Sequence, residues 1–198
     1  MFHDLSPAML ARMTELEAID AADRADGTPH NQRLRQIPPN TGRYLAILAA
    51  SAPAGQMVEV GTSAGYSALW LSLACRQRGD VLTSIDRDPD KLVLARQTLD
   101  LTGSSDVVRL VSGDALDIVA AMAGVAFAFV DANRDVLLAC VELLADRLVP
   151  GGLVAVDNVI SHAAEIPGVL ERILADPRFD AVVVPIGSGV LTARRTAR

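Results

Sequence analysis

Apolar and polar positions recur along this chain with two different periods. Residues 7–25 (PAMLARMTELEAIDAADRA) set apolar and charged side chains at helical spacing, with Ser6 as a candidate N-cap and Pro7 in the first turn. Residues 26–40 are punctuated by Gly27, Pro29, Pro38 and Pro39 and read as a long loop, followed by a helix over about 41–51. From Met57 onward, short β-branched runs at 57–60, 81–85, 107–111, 125–130 and 153–156 alternate with helical stretches near 65–78, 89–101, 115–123 and 134–147. Runs that are apolar at every position suit strands covered on both faces, and strand–helix alternation implies parallel βαβ crossovers. After a helix near 164–175, extended segments 179–185 and 190–194 are separated only by the turn IGSG, so the sheet should finish with an antiparallel strand. The pattern predicts a single α/β domain. Its N-terminal helix and loop (1–40) belong with the sheet-bearing part (41–198).

Composition narrows the function classes. At 198 residues and 51% apolar the chain can bury a real core, and disorder is excluded. A net charge of −6 argues against nucleic-acid or anionic-lipid partners, and 4% aromatic residues leave little for stacking on bases. The longest apolar run, Ile118 to Val130, is 13 residues, whereas a bilayer span needs about 20. No basic cluster precedes an apolar stretch at the N-terminus, so no secretory signal is expected. Cys75 and Cys140 read as buried free thiols of a reducing compartment. A cytoplasmic protein is expected. Of 18 basic residues, 17 are arginine and one is lysine, Lys91.

Chemistry should sit beyond the carboxyl ends of the strands, where open parallel sheets bind ligands. Those ends read Glu59-Val60-Gly61-Thr62-Ser63-Ala64-Gly65, Asp86, Gly113-Asp114-Ala115, Asp131-Ala132-Asn133-Arg134 and Asp157-Asn158. Each carries a carboxylate or amide. The first loop is G-x-x-x-G rather than the G-x-G-x-x-G that brings a helix N-terminus to a diphosphate. Glu59, at the end of the first strand, suits a cation better than a phosphate. Asp86, about 25 residues on, can accept from both hydroxyls of a ribose. A ribose acceptor beside an acidic first loop fits a nucleoside with a positive tail, and S-adenosylmethionine is the common ligand of that kind. A nicotinamide-dependent oxidoreductase and a non-catalytic nucleoside-binding protein are the competing readings.

The segments VEVGTSAGYSALWLS (58–72), SIDRDPDKL (84–92), SGDALDI (112–118), FVDANRD (129–135) and LVPGGLVAVDNVI (148–160) resemble the cation-dependent O-methyltransferases of the catechol and caffeoyl-coenzyme A type. The resemblance spans about residues 37–195. It implies a Rossmann-like, seven-stranded sheet with a reversed last strand and O-methyl transfer from S-adenosylmethionine to a small phenolic or catechol-like hydroxyl acceptor. It implies Glu59, Gly61, Thr62 and Ser67 around the methionine part of the cofactor, Asp86 on the ribose, and Asp114 and Ala115 beside the adenine. Ile37 and Asn133 also approach the cofactor, as does Asp131. Asp131, Asp157 and Asn158 fall where the family holds a divalent cation. Two carboxylates and an amide oxygen are hard ligands suited to magnesium first, or to calcium or manganese.

One position departs from the family. The usual lysine base, three residues after the first metal aspartate, is Arg134, which stays protonated and cannot take a proton. Arg134 then stabilises the developing oxyanion or holds an acidic group of the substrate. Proton removal falls to the cation alone or to another base. His162 is the only histidine near the site, the others being His3 and His30. It is either that base or a substrate contact; the plain alternative is a cap on the helix near 164. Only SHAAEIPG separates Val159-Ile160 from the next helix, so the acceptor pocket should be open or completed by a partner, and a homodimer is expected.

Overall fold

The computed structural model describes residues 5–29 and 32–197; His3 and His30 lie outside them. Helices α1 (Pro7–Ala25) and α2 (Pro39–Ser51) precede β1 (Gln56–Val60), α3 (Tyr66–Arg78), β2 (Leu82–Asp86), α4 (Pro89–Thr102) and β3 (Val108–Ser112). Then come α5 (Ala115–Ala120), β4 (Val125–Val130), α6 (Arg134–Arg147), β5 (Leu148–Val156), α7 (Val169–Leu174), β6 (Phe179–Val184) and β7 (Val190–Arg195). The seven strands form one sheet in the order β3-β2-β1-β4-β5-β7-β6. β7 lies antiparallel to both β5 and β6, and the pairs from β3 through β5 are parallel. The expected Rossmann-like sheet with one reversed strand is therefore present, and the reversed strand is inserted beside β5 rather than added at the edge.

Side-chain parity divides the core into two layers. On one face Met57, Leu82, Phe127 and Phe129 pack with α1, α2 and α3 through Leu16, Leu45, Leu69 and Trp70. On the other, Val58, Val60, Ile85, Val130 and Val156 pack with α5, α6 and α7 through Val119, Leu137, Val141 and Ile173. Cys75 and Cys140 are free, buried and assigned to opposite layers, so they cannot meet across the sheet. Burial pushes both thiols up to about 12.

Two expected boundaries change. The helix near 164–175 is a short 3-10 turn, Ala163–Glu165, and a separate α7, because Pro167 lacks a donor and Gly168 takes φ 74°. β5 starts at Leu148, five residues before the apolar run at Leu153, and pairs Leu148 with Val125 across a register shift.

Candidate functional site

Strand order reverses between β1 and β4, and the carboxyl ends of β1 to β5 open there into a cleft of about 450 Å³. Gly61 sits at its base with φ 98°, and a Cβ there would strike the carbonyl of Asp131, so only glycine lets the β1 loop close against the end of β4.

At one end of the cleft Asp86 terminates β2. Its Oδ2 accepts from the Ser63 amide at 2.9 Å and its Oδ1 from the Asp88 amide at 3.0 Å. Two backbone donors thus fix the plane and aim of this carboxylate. Asp114 caps α5, its Oδ1 accepting from the Leu116 amide at 2.8 Å, and Ala115 lies next to it in the wall.

Glu59, Thr62 and Ser67 do not line the cleft in this structure. Parity in β1 turns Glu59 with Met57 toward α3, and its register partner in β2 is Ser84. Ser84 Oγ donates to Glu59 Oε2 at 2.5 Å and shares a 2.6 Å hydrogen bond with Thr62 Oγ1. Full burial drives the Glu59 carboxyl up to about 7 despite the hydrogen bond from Ser84, and its Oε1 has no partner. The expectation that Glu59 presents an open charge to the ligand is corrected accordingly: it is the buried centre of a polar row beneath the first loop.

The other end of the cleft is built differently. Asp131 follows β4 and Asp157 follows β5, only 4% exposed, with Oδ1 buried and unpartnered. Asn158 holds φ 67° and donates Nδ2 to Asp131 Oδ1 at 2.9 Å. Burial pushes both aspartates up, and each raises the cost of ionising the other; the charges of Arg35 and then Arg134 pull Asp131 back down. Two hard carboxylates, one of them with an orphaned oxygen, beside an amide side chain, are donors of the kind a divalent cation takes. Among the described residues no three His, Cys, Asp or Glu side chains cluster as ligands.

Arg134 opens α6 after the N-cap Asn133, and both line the cleft. Its Nε lies 2.8 Å from Glu165 Oε2 but is not aligned for a hydrogen bond. His162 also lines the cleft, with Nδ1 2.8 Å from Ser161 Oγ. Its side chain caps nothing; the backbone carbonyl alone accepts, from Glu165. The helix-cap alternative for this side chain is thereby removed.

Of the residues singled out in the sequence, the structure brings Ile37, Gly61, Asp86, Asp114, Ala115, Asp131, Asn133, Arg134, Asp157, Asn158 and His162 to one cleft. It adds Arg33, Leu34, Arg35, Ser63, Lys91 and Ser188, which sequence reasoning did not single out for the site. Ser188 comes from the β6–β7 turn, where its carbonyl accepts from Ile160 and Ser161 and holds the loop after β5. The signal for the others was the proximity of Arg33 and Arg35 to Ile37 in a proline-bounded loop.

A family model described as O-methyltransferase matches residues 22–196. A protein of Mycobacterium sp. (strain JLS) named as an O-methyltransferase is 33% identical over 174 residues, covering 80% of this chain and 79% of that one. A catechol O-methyltransferase of Mycobacterium tuberculosis is 33% identical over 121 residues, 60% of this chain and 54% of that one. Among solved structures, the O-methyltransferase TomG of Streptomyces achromogenes, in complex with SAM, superposes with a TM-score of 0.73 at 25% identity, covering 92% of this chain and 89% of that one. The chain belongs to the O-methyltransferase family, enzymes that move the methyl group of S-adenosylmethionine onto an oxygen.

Proposed function

We propose that this protein transfers the methyl group of S-adenosylmethionine to a hydroxyl of a small phenolic or catechol-like molecule, with help from a divalent cation, magnesium most readily. The observation that carries this reading is the buried, partnerless Asp157 oxygen beside Asp131, at the far end of the cleft from a carboxylate locked by two amides. The catechol O-methyltransferase relative supports the acceptor class.

In this reading Asp86 receives the ribose hydroxyls, Asp114 and Ala115 flank the adenine, and Ile37, Gly61 and Asn133 shape the donor's seat. Glu59, Thr62 and Ser67 act from beneath it, bracing the first loop. Asp131, Asp157 and the Asn158 amide oxygen would hold the cation, which when bound lowers the pKa of a coordinated hydroxyl. Transfer is an in-line displacement in which the oxygen–carbon bond forms as the sulfur–carbon bond breaks and the hydroxyl proton leaves. The walls that align the two reactants account for up to about 7–11 kcal/mol of barrier reduction. Arg134 stabilises the oxyanion, and His162 takes the proton through its free Nε2 or contacts the acceptor. The enzyme works as a cytoplasmic homodimer whose second subunit completes the shallow acceptor side.

Incubating the protein with S-adenosylmethionine, catechol and magnesium, with and without EDTA, tests the proposal by mass spectrometry. A methylated product that chelation removes is expected. No product with any catechol, or product formed equally in EDTA, contradicts it.

A further inference from the structure

The loop between α1 and α2 brings to the cleft a cation that methyl transfer to a neutral catechol does not require. Arg35 stands in the loop between α1 and α2 with φ 54°, a left-handed conformation that residues other than glycine rarely hold. Such strain persists only where the surroundings over-determine it. Here they do: Asp20 Oδ1 accepts from the Arg35 amide at 2.9 Å and Asp23 Oδ2 from the Leu34 amide at 3.1 Å. Ser63 Oγ donates to the Leu34 carbonyl at 2.9 Å, and Lys91 Nζ donates to the carbonyls of Gln32 and Arg33, each at 3.0 Å. The only lysine of the chain is thus spent on holding this loop.

What is held so firmly is the backbone that carries the exposed Arg35 side chain, which lines the cleft. Among the described residues it has no ion-pair partner within 4.0 Å, whereas Arg134, also in the cleft wall, faces Glu165. A planar, permanently charged fork that is positioned at a conformational cost and left without a counter-ion is suited to a ligand carboxylate.

We propose that Arg35 is a specificity-determining residue that recognises a carboxylate on the methyl acceptor. The inference rests on the reading of this cleft as a donor site joined to an acceptor site.

The test uses the full chain saturated with S-adenosylhomocysteine and magnesium, titrated calorimetrically with 3,4-dihydroxybenzoate and with its neutral methyl ester. The acid should bind at least about tenfold more tightly than the ester, the effect of one charge-assisted contact. Arg35→Gln should bring that ratio close to one, and Arg35→Lys, which keeps the charge but not the fork, should leave it intermediate. Equal affinities in the unaltered protein, a ratio that survives Arg35→Gln, or no binding of either probe overturns the proposal. Failure of the underlying reading looks different: no catechol, acid or ester is methylated at all. Methylation of neutral catechol without any preference for the acid sinks the role of Arg35 alone.

Discussion

The two ends of the cleft are built on opposite principles. At the β2 end, Asp86 has each carboxylate oxygen engaged by a backbone amide, and Asp114 caps a helix. At the β4–β5 end, Asp157 is packed away from water beside the half-buried Asp131, and Asp157 Oδ1 has no partner. The first end is finished before any ligand arrives. The second holds uncompensated polar groups in a place where burial makes them costly. A fold tolerates that cost where a ligand will offset it, and on the function proposed above the difference would separate a preformed donor seat from an acceptor seat completed by what binds there.

The largest expected effect comes from the unfinished end. Asp157→Asn should lower methyl transfer by about 10²–10³-fold, the scale of losing one preorganised electrostatic contact to a transition state. The same change should raise the unfolding midpoint of the ligand-free protein at pH 8, since it removes a buried charge. Steady-state kinetics and a thermal melt read the two together; activity and stability falling in parallel would mean the residue is merely structural.

Next comes the finished end. Asp86→Ala should weaken binding of S-adenosylhomocysteine by about 10–100-fold, as expected for losing one or two charge-assisted hydrogen bonds. Calorimetry checks it. Unchanged affinity would erase the distinction between the two ends.

A smaller effect concerns pH. The Glu59 carboxyl is raised from 4.5 to about 7, so the folded state binds its proton more tightly than the unfolded chain does. Stability is therefore fully present below about pH 4.5 and is lost as pH rises toward 7. Asp131 and Asp157, also raised, contribute with the same sign. Melts from pH 5 to 8 should show a falling midpoint, and Glu59→Gln should flatten part of the slope. A midpoint that rises over this range contradicts the burial argument.

The smallest expected change is at His162. His162→Gln should reshape the acid limb of the pH–rate profile while lowering the maximal rate by only about tenfold, because a bound cation would share the work of ionising the hydroxyl. An identical profile would remove the histidine from proton transfer.

Much of this contrast was legible in the sequence because the β-rich runs are short and each is closed by a polar group, most plainly the wholly apolar VAFAFV of β4 before Asp131. Asp86, Asp131 and Asp157 could be placed at strand ends without coordinates. The direction of Glu59 could not be settled in the same way, since it depends on which layer β1 turns its odd residues toward. Equally hidden was the loop carrying Arg35. Prolines marked it as irregular, but its position over the cleft is set by Asp20, Asp23, Ser63 and Lys91, contacts between residues up to 59 positions apart. The break at Pro167 and Gly168, by contrast, was visible as two adjacent helix breakers and was outweighed by the apolar periodicity around them.

The most direct measurement is a crystal soaked with S-adenosylhomocysteine and manganese, with the metal located by its anomalous signal. The account predicts a peak between Asp131, Asp157 and Asn158, at about 2.0–2.2 Å from its oxygen ligands, with the ribose hydroxyls on Asp86. An adenosyl group in place with no metal between those three residues, or an adenosyl group seated elsewhere, would contradict it.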